Sequence, residues 1–267
     1  MLSKEEITRY SRNILLNEVK RKGQEKLKSS KILVVGAGGL GSPVLQYLTA
    51  SGVGTLKIID SDNLDLTNLQ RQILFRTNQI GKPKAELAKA NLEELNPHIN
   101  FEIFHERLNA HNVSNIIKDV DLVLEGSDNF STKFLINDYC VLNSIPLIIG
   151  GILGFEGQVL GILPKQSFCY RCIFHSPPPP NEVPSCSEAG VLGSVAGVIG
   201  SFMATLALNY LLGIDSYFGK YLYTFDFKEM NFRKINIKQN PKCILCGKNP
   251  VIQNIDPSLY EENICKS

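Results

Sequence analysis

Four cysteines in two pairs form the clearest metal-binding pattern in this sequence. The pairs are Cys169-x-x-Cys172 and Cys243-x-x-Cys246. Four thiolates can form the tetrahedral cage of a structural zinc ion, which leaves no open position for catalysis. Because the two pairs are much farther apart than the roughly 15–20 residues of a zinc ribbon, the fold must bring them together. We therefore predict a structural Zn²⁺ that fastens the C-terminal part of the chain, with a redox-active CxxC pair or unpaired surface thiols as the alternatives.

A second group of residues combines two cations with one carboxylate. Arg71, Lys84 and Asp128 each lie at or just past the predicted end of a strand. Guanidinium and ammonium groups bind phosphate oxygens, and a carboxylate can hold Mg²⁺ directly or through water. Any one of these residues alone would more often be an ordinary surface charge. Gathered at one edge of a sheet, they predict a site for a nucleoside triphosphate and Mg²⁺, which a dehydrogenase would not require.

Cys186 is the third candidate for chemistry. It lies between the proline run at 177–180 and an uncharged apolar segment. The neighbouring Glu188 disfavours a thiolate, whereas the N-terminus of a helix would favour one. A nucleophilic role and an inert thiol therefore both remain open. We expect Cys140 to pack in the core and Cys265 to be a free thiol.

The element that must position these groups runs from Lys31 to Asp60. A short apolar strand at 32–35 leads into a sequence of the form G-x-G-x-x-G, then into a helix, and then into a second strand that ends at Asp60. In this order the glycines let the backbone approach phosphate, the helix N-terminus favours negative charge, and the acid accepts hydrogen bonds from ribose hydroxyls. The pattern predicts a nucleotide site rather than a simple tight turn. Its expected binding residues are Gly36, Gly38, Gly39, Gly41 and Asp60.

Two polar segments follow predicted strands. The segment 61–72 comes directly after Asp60, so we expect it at the carboxyl edge of the sheet, where doubly wound folds bind ligands. A strand at 121–124 leads in the same way into Asp128 and Asn129. Both segments therefore belong to the predicted nucleotide site. In the first of them, three further residues are candidates for nucleotide binding: Asp62, Thr67 and Asn68.

The order of predicted elements indicates the fold. Strands and helices alternate up to residue 150, which is typical of a parallel sheet. Beyond that point, 156–164 has the pattern of an exposed antiparallel strand, and 221–227 with 231–237 has the pattern of a hairpin. We therefore predict an α/β fold, a Rossmann-like, doubly wound, mostly parallel sheet that is extended by antiparallel strands and carries the CxxC/CxxC zinc site. We expect a helical arm at 1–30 and one domain at 31–267.

Composition limits the classes of function. The chain has 267 residues, 43% of them apolar, and a formal charge of only +2, so its overall charge does not predict nucleic-acid binding. We expect a cytoplasmic protein, because the N-terminus lacks the apolar run of a signal peptide and the cysteines suit a reducing compartment. The uncharged segment 189–214 is long enough to span a bilayer. Its glycines and polar residues favour a loop that leads into a buried core helix, so we expect no membrane span.

Several motifs together resemble the ThiF/MoeB/HesA family of adenylyltransferases, relatives of the adenylation half of ubiquitin-activating enzymes. The resemblance covers nearly the whole chain, and its most specific part is NLQRQ at 68–72 together with the two CxxC pairs. The other motifs are RYSRNILL, GAGGLGSP, GKPKA, GSDN and CSEAGVLG. The resemblance implies that ATP and Mg²⁺ are used to activate the C-terminal glycine carboxylate of a ubiquitin-like sulfur carrier protein of the ThiS or MoaD type. The segment 31–267 would be the adenylation domain, with a zinc-fastened C-terminal part.

The resemblance also implies roles for individual residues. Gly39 would face the phosphates and Asp60 the ribose, while Asp128 would hold Mg²⁺ with Asn129 beside it. The phosphate chain would be bound by Asn68, Arg71 and Lys84. The four CxxC cysteines would hold the structural Zn²⁺.

Two further residues concern partners. Arg12 resembles the arginine that reaches the triphosphate bound to a second subunit, which implies a homodimer. Cys186 matches a cysteine that, in some members, joins the carrier covalently. The chain ends at Ser267, without the C-terminal sulfurtransferase domain of some relatives, so we expect sulfur from a separate persulfide donor.

Lys133 is a departure from the family pattern, which often has arginine at this position. Lysine keeps the charge but loses the bidentate fork, which leaves carrier or nucleotide contacts at this position open. The resemblance does not choose between thiamine and molybdenum cofactor biosynthesis. A non-catalytic partner-binding relative and an NAD-dependent oxidoreductase are the alternative functions.

Overall fold

The structure is a computed structural model that describes residues 1–178, 190–214 and 217–260. Its strands are β1 (Lys31–Val35), β2 (Thr55–Ile59), β3 (Asn100–Phe104), β4 (Leu122–Glu125), β5 (Leu147–Leu153), β6 (Glu156–Ile162), β7 (Tyr221–Asp226) and β8 (Asn231–Asn236). They form one sheet in the order β3-β2-β1-β4-β5-β6-β7-β8. The first five strands run parallel, and β5 to β8 pair antiparallel. The predicted fold class is therefore confirmed, including the change of direction beyond residue 150.

Helices cover both faces of the sheet. The described residues form α1 (Lys4–Arg9), α2 (Ser11–Ile14), α3 (Lys20–Ser29), α4 (Gly41–Ala50), α5 (Lys84–Leu95), α6 (Val113–Ile116), α7 (Phe130–Asn143), α8 (Tyr170–Ile173) and α9 (Gly193–Leu212). Local chemistry explains some of these bounds. The Ser3 side chain accepts a hydrogen bond from the N–H of Glu6 and closes a capping box at the start of α1. The helix α5 ends just before Asn96 because a residue that precedes proline disfavours the helical conformation.

The central strand β1 divides its side chains between two cores. Ile32 and Val34 lie in the core that α4, α5 and α9 cover, whereas Leu33 and Val35 lie in the core of the opposite face, which includes α6 and α7. All four side chains are almost fully buried. A parallel strand that is covered on both faces must be apolar at every position. This requirement is why the segment ILVV contains no polar residue.

Residues 193–212 of the uncharged segment form α9, which packs against α4, β5 and β6. Two glycines on those strands permit the close approach of the helix. A Cβ on Gly150 would lie 2.3 Å from Sδ of Met203, and a Cβ on Gly157 would lie 2.4 Å from Cδ1 of Ile199. By length and composition α9 is the one described helix that could cross a bilayer, and half of its most apolar window is buried within the fold.

The first 30 residues form α1 to α3 and make buried contacts with the rest of the chain. Nδ2 of Asn96 donates to the hydroxyl of Tyr10 at 2.8 Å. Leu27 belongs to the same core as Ile32. The helical arm is therefore packed onto the sheet, and its separation from the domain at residue 30 stays a prediction.

Candidate active site

A cleft of about 1940 Å³ lies at the carboxyl ends of β1, β2 and β4. Doubly wound sheets bind ligands at this edge. Most of the residues that the sequence predicts for nucleotide binding line the cleft, namely Gly36, Gly38, Gly39, Asp60, Asp62, Thr67, Asn68, Arg71, Lys84, Asp128 and Asn129. The fold thus brings the expected phosphate-binding and metal-binding side chains together from four separate segments of the chain.

The glycine turn at 36–41 connects β1 to α4. Gly36 has a φ of +86°, a conformation that favours glycine, and its N–H donates to the carbonyl of Ile59 at 2.9 Å. A Cβ on Gly41 would lie only 1.8 Å from the carbonyl oxygen of Gly36, so the turn can close in this way only if residue 41 is glycine. Gly41 does not line the cleft. Its place in the structure is to close the turn that brings the positive N-terminus of α4 to the cleft.

Arg71 lies directly against this turn. A Cβ on Gly39 would lie 3.4 Å from Cδ of Arg71, and Nη1 of the arginine donates to the carbonyl of Thr67 at 3.2 Å. The guanidinium makes no other hydrogen bond to the described residues. Its remaining N–H groups are therefore available to an anion in the cleft.

Asp60 and Lys84 form a charged wall of the cleft. The carboxylate of Asp60 accepts hydrogen bonds from the N–H groups of Ala37 at 2.8 Å and Asp62 at 2.9 Å. Burial raises the pKa of Asp60, while the Lys84 ammonium and these two N–H groups act in the opposite direction. Lys84 is buried at the start of α5, and its Nζ lies 2.9 Å from Oδ2 of the exposed Asp62. The lysine is thus a buried cation whose partner lies at the mouth of the cleft.

Asp128 is exposed on the short loop 126–129 between β4 and α7. Both of its neighbours are anchored. The N–H of Ser127 donates to Oε1 of Glu125 at 2.7 Å, and Oδ1 of Asn129 accepts from the N–H of Thr132 at 2.9 Å as the N-cap of α7. The carboxylate of Asp128 therefore projects from a loop that is fixed at both ends, which suits a group that binds a metal ion.

Lys133 is buried beneath this loop. Its Nζ contacts Oε2 of Glu125 and donates to the carbonyl of Gly150 at 2.7 Å. Glu125 is fully buried, and burial raises its pKa, while Lys133 and Ser127 act in the opposite direction. The charge of Lys133 is therefore used within the protein, a role that the sequence analysis missed. The available signal was an acid at the end of a buried strand, followed by a lysine in the first turn of the next helix.

Gln72 is a second residue that the sequence analysis missed. It is only 3% exposed and lines the cleft, and its Nε2 would lie 3.5 Å from a Cβ on Gly38. Its Oε1 has no hydrogen-bond partner among the described residues. An unpaired buried acceptor is costly, so this carboxamide is suited to a ligand that donates a hydrogen bond. The NLQRQ motif contains Gln72 and was the signal that could have singled it out.

Other predicted residues lie elsewhere. Arg12 is exposed on α2 and is not among the described residues that line the cleft of its own chain, so its expected contact with a triphosphate requires a second subunit. Cys186 and Cys265 lie outside the described residues. Cys140 is fully buried, and burial raises the pKa of its thiol, as expected of a cysteine in the core.

The four CxxC cysteines meet on the face of the sheet opposite α9. Their Sγ atoms lie within 4.8 Å of one another. The separations are 3.9 Å for Cys169 and Cys172, 3.6 Å for Cys169 and Cys243, and 3.4 Å for Cys172 and Cys246. A tetrahedral site with Zn–S bonds of about 2.3 Å places its sulfur atoms about 3.8 Å apart. The cluster therefore fits Zn²⁺.

Hydrogen bonds connect this cluster to α7. Arg171, which lies between the first two cysteines, donates from Nε and Nη2 to the buried carboxylate of Asp138 at 2.8 and 2.6 Å. The hydroxyl of Tyr260 donates to the same carboxylate at 2.7 Å. The helix that begins beside Asp128 is therefore fastened at its middle to the metal-binding segment and to the C-terminal part of the chain.

Known proteins are similar to this chain in sequence and in fold. The model of the ThiF family matches residues 10–245. A sulfur carrier protein adenylyltransferase of Thermus thermophilus is 45% identical over 93% of each chain, and a SAMP-activating enzyme E1 of Haloferax volcanii is 42% identical over 94% of this chain and 93% of its own. The adenylyltransferase and sulfurtransferase MOCS3 of Culex quinquefasciatus is 40% identical over 95% of this chain, which spans 58% of that relative.

Two solved structures of one protein are similar to this chain in fold. E. coli MccB in complex with ATP has a TM-score of 0.76 and 25% identity over 90% of this chain and 73% of its own. The same protein with succinimide has a TM-score of 0.78 over 90% of this chain and 74% of its own. Since the family model covers most of the chain and relatives with 42% and 45% identity extend over nearly all of it, this protein belongs to the ThiF family.

Proposed function

We propose that this protein is an adenylyltransferase that activates the C-terminal glycine carboxylate of a ubiquitin-like sulfur carrier protein of the ThiS or MoaD type. The proposal is carried by one observation: Arg71, Lys84 and Asp128 line the same cleft as the glycine turn. The names of two similar proteins, a sulfur carrier protein adenylyltransferase and an adenylyltransferase and sulfurtransferase, support it. The activated carrier would serve thiamine or molybdenum cofactor biosynthesis.

The reaction converts a poor electrophile into a reactive one. A carboxylate oxygen of the carrier attacks the α-phosphorus of ATP, the bond from the α-phosphorus to the bridging oxygen breaks, and pyrophosphate leaves. The product is an acyl-adenylate, from which AMP is a good leaving group. No protein nucleophile is needed, so positioning and charge neutralisation carry the catalysis. The N-terminus of α4, Arg71 and Lys84 would contribute to neutralising the charge that moves onto pyrophosphate.

The remaining polar residues of the cleft would orient ATP. Asp60 accepts from the ribose hydroxyls. Asn68 lines the cleft and uses its Oδ1 to accept from the N–H of Asp65 at 3.1 Å, so its NH₂ group would be the part that donates to the phosphates. Mg²⁺ would be held by Asp128 and would supply further charge neutralisation. Asn129, whose Oδ1 caps α7, supports this residue from the neighbouring position.

The four-cysteine cluster would hold Zn²⁺ with a purely structural effect. Four thiolates leave no position for a substrate. The ion would fasten the second CxxC pair, and with it the C-terminal part of the chain, to the segment that contains Arg171 and so to α7. Loss of the metal should therefore affect stability before it affects the chemistry of adenylation.

The protein would act in the cytoplasm as a homodimer in which Arg12 of one subunit contacts the triphosphate in the cleft of the other. Sulfur from a separate persulfide donor would then displace AMP from the carrier and leave a thiocarboxylate. Cys186 would be the thiol that bonds to the carrier, if this protein forms such a bond. These features rest on the family resemblance and on the exposed position of Arg12 outside the cleft of its own chain.

Exchange of labelled pyrophosphate into ATP tests the proposed function. The purified protein is incubated with ATP, Mg²⁺ and either a ThiS-type or a MoaD-type carrier, and mass spectrometry measures the mass of the carrier. We expect exchange and a carrier heavier by one AMP with one carrier type, and neither result with a carrier that lacks its terminal glycine. ATP binding without exchange, with both carrier types, would instead favour a non-catalytic partner-binding relative.

Subunit complementation tests the dimeric site. Arg12→Ala and Asp128→Ala should each abolish pyrophosphate exchange, because each variant inactivates both active sites of its homodimer. In an equal mixture, heterodimers contain one intact site, so about a quarter of the wild-type activity should return. No recovery after subunit exchange would place Arg12 in its own cleft or outside the reaction. Unchanged exchange with Asp128→Ala would remove the role assigned to this carboxylate.

A further inference from the structure

A buried charge pair lies beneath the loop that carries Asp128. Glu125 is the last residue of β4 and is 0% exposed, and Lys133 is in the first turn of α7 and is 6% exposed. Side chains of these types are almost never buried so completely unless they are paired. A buried pair of this kind is also weak evidence for stability, because the loss of hydration offsets the attraction. The role of the Glu125–Lys133 pair therefore has to be inferred from its contacts.

Both oxygens of the Glu125 carboxylate are occupied. Oε1 accepts hydrogen bonds from the N–H of Ser127, at 2.7 Å, and from the hydroxyl of the same serine. Oε2 contacts Nζ of Lys133. The carboxylate therefore holds the residue immediately before Asp128, and Lys133 holds the carboxylate.

Lys133 also connects two neighbouring strands. The parallel ladder between β4 and β5 ends where Glu125 lies opposite Ile149. Nζ of Lys133 donates to the carbonyl of Gly150, the next residue of β5, at 2.7 Å. The lysine thus continues the connection between the strands at the point where the ladder stops, directly below the cleft.

The segment that Glu125 holds also contacts the glycine turn. The N–H of Gly126 donates to the carbonyl of Val35 at 3.0 Å. A Cβ on Gly36 would lie 3.3 Å from the backbone nitrogen of Ser127 and 3.3 Å from the carbonyl oxygen of Gly126. The glycine turn therefore packs directly against the backbone at 126–127. A shift of Ser127 would change the distance between that turn and Asp128.

We propose that Lys133 and Glu125 are positioning residues that set the separation between Asp128 and the glycine turn, and so place the carboxylate that binds Mg²⁺ against the phosphates that the turn binds. The inference rests on the proposed function, in which Asp128 holds Mg²⁺. Glu125 does not line the cleft, and Lys133 lines it with an ammonium that is already held by Glu125 and by the carbonyl of Gly150. In this proposal both residues act through Ser127 and Asp128.

Variants of matched length test this role. Glu125→Asp shortens the carboxylate by one methylene, so it can no longer reach both Ser127 and Lys133. Lys133→Arg lengthens the cation and replaces a compact ammonium with a planar fork. The double variant E125D/K133R restores the combined length and, like the single variants, keeps both charges. We expect each single variant to raise the Mg²⁺ concentration for half-maximal exchange by about tenfold or more, since small misplacements are costly in catalysis, with a smaller change in the KM for ATP. The double variant should return to within about threefold of the wild type.

A second buried lysine provides the control for folding effects. Lys57 donates to the carbonyl of Lys118 at 2.8 Å and pairs with Glu102 at 3.6 Å, and it does not line the cleft. Lys57→Met and Lys133→Met therefore remove the same kind of buried ammonium from a carboxylate and a carbonyl. We expect both variants to lower the temperature of unfolding, and only Lys133→Met to raise the Mg²⁺ requirement.

Two results would overturn the positioning role. One is a Mg²⁺ requirement that stays at the wild-type value in Lys133→Met while the unfolding temperature falls as it does in Lys57→Met. The other is a double variant as impaired as the single ones. A wild type that shows no exchange with any carrier would instead refute the proposed function, and calorimetry of ATP binding with and without Mg²⁺ on the same variants would then decide the role of the pair.

Discussion

Replacement of Lys84 by methionine separates a role in binding ATP from a role in folding. Methionine is unbranched and apolar and fills the space of the buried lysine stem. The ammonium that is lost lies 2.9 Å from Oδ2 of Asp62, and the exposed fractions of the two side chains are 6% for Lys84 and 64% for Asp62. The partner is thus largely in water, which limits what the ion pair contributes to stability.

The magnitudes follow from this geometry. A pair with an exposed partner contributes about 0–1 kcal/mol, which in a chain of this size corresponds to about 2–4 °C in Tm at most. A hydrogen bond from the ammonium to a charged phosphate contributes about 1.5–3 kcal/mol. At about 1.4 kcal/mol for each factor of ten, we expect kcat/KM for ATP to fall by about 10- to 150-fold in Lys84→Met.

Pyrophosphate exchange at a series of ATP concentrations, together with thermal unfolding, measures both quantities. Lys89→Met is the control, because Lys89 is on the same helix and, among the residues that the structure describes, forms an ion pair only with the surface residue Glu93, at 3.7 Å. The kcat/KM of this variant should equal that of the wild type. A loss of less than about threefold in Lys84→Met would refute the phosphate contact, since one charged hydrogen bond is expected to contribute more. If Asp62→Asn lost as much activity as Lys84→Met, the activity would depend on the ion pair between the two residues and not on a contact from the Lys84 ammonium to phosphate.

Three further predictions follow from particular residues. Because burial raises the pKa of Asp60 in the folded state, its ionisation lowers the stability of the fold as the pH rises from the ordinary pKa of 3.8 through the raised one. Since the ionised form binds ribose, acidification should begin to weaken ATP binding at a higher pH than it would with an ordinary carboxyl group. Asp60→Asn should not show this loss of ATP affinity at acidic pH. Gly41→Ala would place Cβ 1.8 Å from the oxygen of Gly36, so we expect a lower Tm and loss of ATP binding, whereas Gly197→Ala, which meets no atom within 4 Å inside a helix, should keep both. Elemental analysis should find about one zinc per chain, and Cys243→Ser should lose it and lower the Tm; a full complement of zinc in this variant would contradict the four-thiolate site.

The sequence by itself determined the parts of the structure that depend on neighbouring residues. The run ILVV predicts a buried parallel strand, and the glycines at 36–41 with Asp60 predict the nucleotide-binding turn, because both patterns reflect local backbone and burial requirements. The bounds of β5 were less accurate. The sequence predicts a strand at 146–150, and the observed strand extends to Leu153, since its second half pairs with β6.

The tertiary structure alone decided which distant side chains meet. The CxxC spacing identified the four ligand candidates, but only packing on one face of the sheet places Cys172 within 3.4 Å of Cys246. The sequence left carrier or nucleotide contacts at Lys133 open, and the structure shows that its ammonium lies between Glu125 and the carbonyl of Gly150 at the lining of the cleft. Local patterns report burial and conformation along the chain, whereas contacts of this kind depend on which strand lies beside which in the sheet, and that order is a property of the whole fold.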